Sequence, residues 1–272
     1  MCELFAVSSK LPTKVTFSLE EFASHGGVKD HHTDGWGLAF YDGPFAQIYH
    51  EAEPSAYSEW MSFLQKHQTP TCQIISHIRH ATVGARTLKN TQPFSRELGG
   101  KRHVFCHNGH LENIHAELKL DRFKPIGDTD SEVAFCYLMD SLENAWTKTS
   151  PDLSVRVEIV KTVFDQFSQM GPANFLYSDS EYLYAYANKR TQQNGKMKPP
   201  GLYYLIRQCD LELQSELIFS VNIKSNKNQI NPEQKIILFA SVPLSDENWI
   251  PFEENQLIIS SNGEIVSNFS NS

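Results

Sequence analysis

The second residue of this chain is a cysteine, and it combines two groups that hydrolysis can use. Removal of Met1 would leave Cys2 with a thiol and a free α-amine. Unperturbed, such an amine has a pKa of about 7.7–8.0 and a thiol one of about 8.5. The amine is therefore a base suited to neutral pH, and it lies beside the nucleophile. A buried strand thiol without reactivity is the alternative interpretation, which this residue alone leaves open.

A second segment with chemical potential is His77–Gly84, which follows the apolar run Gln73–Ile75. Arg79 offers a planar fork of donors for a carboxylate, and each charge-assisted hydrogen bond contributes about 1.5–3 kcal/mol. Thr82 adds a hydroxyl, and His80 stands between the two. We take all three as candidates for substrate binding. The alternative is an arginine held in a structural ion pair.

The third segment is Cys106–His110, again directly after a strand-like run. The side-chain NH₂ of Asn108 and the backbone N–H of Gly109 can form an oxyanion hole, in which each donor contributes about 10²–10³ in rate. Glycine also leaves room for a tetrahedral intermediate. The alternative is a hairpin turn, because Asn-Gly is common there.

The fourth segment, Gly127–Glu132, places several acids at the start of a predicted helix. Asp130 could accept a substrate ammonium group, or the acids could only cap the helix and compensate its dipole. Together, Cys2, Arg79, Asn108–Gly109 and Asp130 supply a nucleophile, a carboxylate clamp, oxyanion donors and an ammonium acceptor. Hydrolysis of a glutamine-like amide needs this set.

The elements that must position these residues are strands and a few long helices. The predicted strands are Glu3–Ser8, Gly37–Tyr41, Gln73–His77, Val104–Cys106, Phe175–Tyr177, Tyr182–Ala187, Leu202–Ile206, Leu217–Val221, Ile236–Val242 and Gln256–Ser260. The predicted helices are Ser131–Asn144, capped from Asp128 or Thr129, and Val155–Met170. Thr191–Pro200 is predicted to be a loop. We expect a layered α+β fold in a single domain over residues 1–272.

Charge, apolar segments and cysteine spacing exclude several classes of partner and location. The 272 residues carry a net charge of −8 with no long basic run, which argues against a nucleic-acid partner. No stretch reaches the roughly 20 apolar residues that span a bilayer, and no apolar signal segment opens the chain, so we expect a cytoplasmic protein without a membrane partner. The five cysteines include no C-x-x-C pair, which favours reduced thiols. We expect neither a metal nor a cofactor.

The sequence resembles the class II glutamine amidotransferases, and most closely their single-domain YafJ-type branch. The motifs that carry the resemblance are MCELFAVS, HTDGWGLAFYDG, SHIRHATVG, NTQPFSREL, CHNGHLEN and GDTDSE. They occur in the family's order and cover the first half of the chain. At two positions, His80 and Val83, this sequence departs from better-known members, which carry tryptophan and histidine there.

The resemblance implies the N-terminal-nucleophile hydrolase fold, a four-layer αββα sandwich of two mainly antiparallel sheets. It implies that Cys2 is the nucleophile, that Arg79 binds the substrate α-carboxylate and that Asp130 holds the α-ammonium. Asn108 and Gly109 would form the oxyanion hole. Gly35 would belong to a loop near the thiol.

The expected substrate is therefore glutamine or a γ-glutamyl compound, hydrolysed through a γ-glutamyl thioester on Cys2. No glycine-rich phosphate loop follows Asp130. Ammonia would thus go to a separate ammonia-accepting enzyme, or hydrolysis is itself the task; a homodimer is left open. Two alternatives remain. One is a catalytically inactive binding module of the same fold. The other is a metal-dependent hydrolase using pairs such as His77 and His80 or His107 and His110.

Overall fold

This computed structural model describes residues 2–29, 32–81, 84–146, 150–192, 194–210, 222–223 and 233–270. The strands, numbered in chain order, are β1 (Glu3–Lys14), β2 (Trp36–Asp42), β3 (Phe45–Glu51), β4 (Thr71–Ile78), β5 (Phe94–Leu98), β6 (Lys101–Gly109), β7 (Ala173–Ser178), β8 (Leu183–Ala187), β9 (Arg190–Thr191), β10 (Met197–Lys198), β11 (Tyr203–Asp210), β12 (Asn222–Ile223), β13 (Glu233–Ala240), β14 (Ile250–Pro251), β15 (Gln256–Ser261) and β16 (Glu264–Phe269). The α-helices are α1 (Thr16–Ser24), α2 (Glu59–His67), α3 (Ile114–Glu117), α4 (Asp130–Glu143) and α5 (Leu153–Ser168).

Most strands belong to two large antiparallel sheets. The first has the order β14-β11-β13-β1-β4-β2-β3, and β12 also pairs with β1. The second has the order β16-β15-β8-β7-β6-β5. All described pairings, including the small pair of β9 and β10, are antiparallel. The β1 and β6 strands, which lead to the candidate nucleophile and oxyanion donors, therefore lie inside different sheets.

Helices cover the outer face of each sheet. On the first sheet, Phe22 of α1 and Met61 of α2 pack in one apolar cluster with strand residues such as Phe5. On the second sheet, helices α4 and α5 share a larger cluster with the strands, including Phe135 and Phe164. With both outer faces covered by helices, the predicted four-layer αββα sandwich is confirmed.

The two sheets pack against each other through the residues that alternate with these outward-facing ones. Leu4 and Ile75 of the first sheet share a buried cluster with Val104 and Leu176 of the second. Successive strand residues point to opposite faces, so every second residue of β1, β4 and β6 faces the gap between the sheets. Continuing this alternation to the strand ends places Cys2, Arg79 and Asn108 on the same inner side.

The predicted strands that fall in the described residues all overlap observed ones, and Leu217–Val221 lies outside them. The helix predicted at Ser131–Asn144 begins one residue earlier, after Thr129, whose hydroxyl caps the N–H of Glu132 at 3.3 Å. Thr191–Pro200 is not simply a loop, because β9 and β10 pair within it.

Several elements were not predicted. Besides β9 and β10, they are α1, α2, α3, β3, β5, β12, β14 and β16. The β1 strand also runs on to Lys14, well past its predicted end at Ser8. Among the described residues, no helix is long and apolar enough to cross a bilayer.

Candidate active site

Cys2 lies directly before β1, beside the main chain that follows β4. Its sulfur accepts a hydrogen bond from the backbone N–H of His80 at 3.3 Å and lies 3.4 Å from that residue's carbonyl oxygen. The neighbouring pair in the ladder joins Glu3 to Ile78, which brings Cys2 next to Arg79. The Cys2 residue is half-buried. The thiol therefore stands at the end of the gap between the sheets, held against the segment that carries the arginine.

The charges around Cys2 determine the state of its thiol. Burial raises the pKa of the Cys2 thiol; the N–H of His80 and the guanidinium of Arg79 lower it, and the carboxylate of Asp130 raises it. Burial is the largest of these effects, so the thiol keeps its proton at neutral pH. The sulfur therefore needs a base before it can act as a nucleophile. Arg79 and Asp130, which are far apart in sequence, both act electrostatically on this one sulfur.

Arg79 is buried, and its guanidinium is held by main-chain carbonyls. Its Nη1 donates to the carbonyl of Ala85 at 3.1 Å, and its Nη2 donates to that of Gly84 at 3.0 Å. Burial lowers the pKa of Arg79, and the nearby Cys2 and Asp34 raise it. An arginine keeps its charge under such shifts. The result is a fixed cation beside the thiol.

Gly35, just before β2, anchors the main chain of Arg79. The carbonyl of Gly35 accepts the N–H of Arg79 at 2.8 Å. Its φ of +134° is a conformation that favours glycine, and an added Cβ would lie 2.9 Å from the carbonyl oxygen of Glu51. The preceding Asp34 accepts the N–H of Ala81 at 2.8 Å. Gly35 and Asp34 thus support the Arg79–Ala81 segment through its backbone.

Asn108 is fully buried at the inner face of β6. Its Nδ2 donates to the hydroxyl of Ser241 at 3.3 Å, and that hydroxyl also accepts the N–H of Leu4 at 3.0 Å. The carbonyl of Asn108 accepts Nδ2 of Asn174 at 2.9 Å. Through Ser241, the amide is linked to β1 two residues from Cys2.

The hairpin-turn interpretation of Asn108–Gly109 is wrong, because both residues pair with β7 within a strand. Gly109 is needed there for space. An added Cβ would lie 1.8 Å from the carbonyl oxygen of Pro172 and 2.6 Å from Nε2 of His107. That histidine ring bridges the Ser131 hydroxyl at 3.0 Å and the Pro172 carbonyl at 3.2 Å. No side chain fits between β6 and this ring.

Asp130 is the first residue of α4, and most of its surface is buried. One carboxylate oxygen accepts the N–H of Leu111 at 2.8 Å and lies 3.5 Å from Nδ1 of His110. The helix cap is Thr129, whereas Asp128 forms an ion pair with Lys89 at 2.8 Å. Asp130 is therefore not the cap of its helix, and its charge is directed towards the segment that follows Asn108 and Gly109.

Sequence reasoning missed a buried asparagine that joins the arginine and aspartate loops. Asn90 donates from Nδ2 to the carbonyl of Ala85 at 3.0 Å, the same carbonyl that Arg79 contacts. Its Oδ1 accepts the N–H of Asp128 at 2.9 Å. Two residues further on is Asp130. The NTQPFSREL motif contains Asn90 and was the signal from which this bridge could have been suspected.

The same motif holds β6 in place. The side chain of Gln92 makes two hydrogen bonds to the main chain of His107. Nε2 of Gln92 donates to the His107 carbonyl at 3.1 Å, and Oε1 of Gln92 accepts the His107 N–H at 2.6 Å. These bonds fix the strand just before Asn108. Gln92 was another residue that sequence reasoning did not single out.

The remaining candidates stand as follows. His80 contacts Cys2 through its main chain, and Thr82 lies outside the described residues. For the metal alternative, no three histidine, cysteine, aspartate or glutamate side chains in the described ranges come close enough together to hold an ion. His77 is fully buried, and burial lowers its pKa to about 3, so its ring is neutral.

The αββα sandwich with a cysteine at the head of an inner strand defines an N-terminal-nucleophile hydrolase fold. The family model for class II glutamine amidotransferases matches residues 1–272, and the chain belongs to that family. Hydrolysis or transfer of the glutamine amide is thus its general class of chemistry.

Individual relatives agree with this assignment. The Escherichia coli (strain K12) protein named "Putative glutamine amidotransferase YafJ" is 32% identical over 250 residues, covering 92% of this chain and 93% of the relative. The crystal structure of a "predicted glutamine amidotransferase" from Pseudomonas aeruginosa PA01 superposes with a TM-score of 0.67 at 27% identity, covering 98% of this chain and 100% of that one.

A more distant neighbour shares the fold alone. The glutamine phosphoribosylpyrophosphate amidotransferase of B. subtilis has a TM-score of 0.58 at 13% identity. The match covers 98% of this chain and 49% of that enzyme, so this chain spans about half of its length.

Proposed function

We propose that this protein hydrolyses the side-chain amide of glutamine or of a γ-glutamyl compound, with Cys2 as nucleophile and residues 1–272 acting as one catalytic domain. The observation that carries the proposal is the half-buried Cys2 sulfur, which the Arg79 guanidinium and the Asp130 carboxylate both influence. An amino-acid head group has a carboxylate and an ammonium group that complement these two charges. Opposite charges that both act on one thiol suit a zwitterionic substrate whose side chain must reach the sulfur.

In this mechanism, Arg79 binds the α-carboxylate through its planar fork, and Asp130 accepts the α-ammonium. The carbonyls of Gly84 and Ala85 keep the guanidinium plane fixed, which lowers the cost of ordering it when substrate binds. His80 and Thr82 would line the same pocket, and Gly35 would support it. The side-chain amide is then directed to the thiol.

The reaction begins with proton transfer, because burial keeps the thiol protonated. After removal of Met1, the α-amine of Cys2 takes the thiol proton, and the sulfur attacks the amide carbon. The carbonyl oxygen becomes an oxyanion, which the NH₂ of Asn108 and the N–H of Gly109 stabilise. The C–N bond breaks, and the proton leaves with the nitrogen as ammonia or an amine. Water then attacks the γ-glutamyl thioester and releases the acid.

The ammonia can be released, or it can be used by a separate enzyme. Glutamine and γ-glutamyl peptides are both compatible with recognition through the head group, since Arg79 and Asp130 are assigned to the carboxylate and the ammonium group and not to the group that leaves. A catalytically inactive module of the same fold is the competing proposal. The hydrogen bonds of Asn108 and Asn90 favour an enzyme. Asn108, held by Ser241, is the proposed oxyanion donor, and Asn90 bonds the Ala85 carbonyl that Arg79 also contacts.

The test is a hydrolysis assay on a panel of glutamine and γ-glutamyl peptides, using protein whose N-terminus is verified by mass. We expect turnover of at least one substrate by wild type and none by Cys2→Ala. Cys72→Ala is the matched control, because Cys72 is also a half-buried thiol of the same sheet. Wild-type activity in Cys2→Ala would require another nucleophile. Inactivity of wild type across the panel would favour the inactive module.

A further inference from the structure

The ladder between β1 and β13 changes character at Ser241, immediately after β13. The last regular pair joins Phe5 to Ala240. In the next pair, the N–H of Ser241 donates to the Leu4 carbonyl at 3.0 Å, but the N–H of Leu4 donates to the serine hydroxyl at 3.0 Å. The carbonyl of Ser241 accepts from the guanidinium of Arg190 instead. A side-chain hydroxyl has therefore replaced a main-chain carbonyl as the partner of Leu4.

This hydroxyl also meets the side chain of Asn108. A serine hydroxyl has one hydrogen to donate and two lone pairs. The Leu4 N–H uses one lone pair, and Nδ2 of Asn108 lies 3.3 Å from the same oxygen. Oδ1 of Asn108 is buried and has no hydrogen-bond partner within the described chain. Buried amide oxygens are normally paired, since an unpaired one loses its hydration without compensation.

A half-turn of the Asn108 amide gives its buried oxygen a donor and leaves the NH₂ group available to an oxyanion. It brings Oδ1 to the Ser241 hydroxyl, which still accepts from Leu4 and now donates its own hydrogen to the amide oxygen. The NH₂ group takes the position that Oδ1 held. The two orientations differ in which atom faces away from the serine: an acceptor that would repel an oxyanion, or a donor that would stabilise it.

We propose that Ser241 is a positioning residue for the oxyanion hole, which donates its hydroxyl to Oδ1 of Asn108 and so presents the NH₂ group to the reacting carbonyl. The assignment rests on the proposed amide hydrolysis. Ser241 touches no reacting atom and acts through Asn108. Because it also bonds Leu4, it ties the oxyanion donor to the strand that carries the nucleophile.

A double-mutant cycle tests this assignment. Ser241→Ala should lower kcat by about 10- to 100-fold with KM changed by less than about twofold, because the amide is no longer oriented. Asn108→Ala should lower kcat by about 10²–10³-fold. The double variant should be no slower than Asn108→Ala, since Ser241 has nothing left to orient. Losses that multiply in the double variant would overturn the proposal.

Alkylation of Cys2 by iodoacetamide separates this role from support of β1. The alkylation forms no oxyanion, so Ser241→Ala should react at the wild-type rate within about twofold. An equal fall in alkylation and turnover would mean that Ser241 only supports the strand, and would overturn the proposal. Ser241→Thr keeps the hydroxyl and should restore most of kcat.

If Ser241→Ala does not fold, Ser241→Cys in the same cycle takes its place, because a thiol is a weak donor of similar shape. An inactive wild type would overturn the proposed function and this assignment with it. An active wild type whose losses multiply would overturn the assignment alone.

Discussion

Replacing Gly109 with alanine tests whether the end of β6 must stay in position for the reaction. The new Cβ would lie 1.8 Å from the carbonyl oxygen of Pro172 and 2.6 Å from Nε2 of His107. A carbon and an oxygen in contact are about 3.3–3.6 Å apart, so the strands must separate locally by about 1.5 Å. The histidine ring cannot yield alone, because it is bonded to Ser131 and to Pro172.

A displacement of that size should be visible in the rate. Misplacement by about 1 Å can cost about 10²-fold, so kcat of Gly109→Ala should fall at least that far. The free energy of unfolding should fall by about 1–3 kcal/mol from overpacking. Initial rates over a range of substrate concentrations and urea unfolding measure the two effects.

The matched control is Gly43→Ala. Nothing lies within 4 Å of a Cβ there, but φ is +57°, so this alanine adds backbone strain without a clash. The variant should lose about 1 kcal/mol of stability and keep its activity. If kcat of Gly109→Ala stays within about twofold of wild type, the end of β6 does not need its observed position for the reaction.

Three further predictions concern the head-group clamp and the buried histidine His77. Arg79→Lys keeps the charge but loses the planar fork, so KM should rise about tenfold or more; an unchanged KM would remove Arg79 from carboxylate binding. Asn90→Ala removes the bridge between the arginine and aspartate loops and should also raise KM about tenfold. The control Asn194→Ala, in an exposed turn, should leave KM unchanged. Equal KM values in the two variants would contradict this role of Asn90. Burial lowers the pKa of His77 from 6.5 to about 3. As the pH drops below about 6.5, the unfolded chain is protonated at this residue while the folded protein is not, so the stability of the fold decreases. By pH 4.5 this residue lowers the free energy of unfolding, measured in urea, by about 2–3 kcal/mol. His77→Gln should flatten the dependence of that free energy on pH, whereas the exposed control His115→Gln should not. Equal pH dependence in wild type and both variants would contradict a buried neutral ring.

The sequence was informative wherever a short apolar run ended in polar residues. Gln73–His77 predicted β4, and Val104–Cys106 predicted β6, because short apolar runs bounded by polar residues favour buried strands. Arg79 and Asn108 follow or end those strands, so their placement at one end of the sandwich could be expected.

The extension of β1 could not be read in the same way. Ser9, Lys10 and Pro12 look like the end of a strand, because proline cannot donate to a ladder. In the structure the pairing with β4 shifts between Ser8 and Thr13, which accommodates the proline. The side chain of Gln234 bonds both the N–H and the carbonyl of Leu11, at 3.0 and 2.9 Å, and substitutes for the ladder there.

The residues that support the site were hidden for a related reason. Ser241 meets the N–H of Leu4 across 237 positions of sequence, and Asn90 meets that of Asp128 across 38. No local sequence pattern around a serine or an asparagine predicts such a distant hydrogen-bond partner, since both residues are common in turns. Their roles depend on sheet order, which brings β13 beside β1, and strand patterns alone do not give that order.

The role of Cys2 as nucleophile is tested by covalent labelling of its thiol with a glutamine-mimicking electrophile, read by intact mass and peptide mapping. Protein whose N-terminus is Cys2 should gain one adduct on that residue, and excess glutamine should slow the labelling. Protein that retains Met1 should label far more slowly, because its Cys2 nitrogen is an amide and cannot take the thiol proton. Absence of an adduct on Cys2, or labelling of Cys72 at the same rate, would contradict the account.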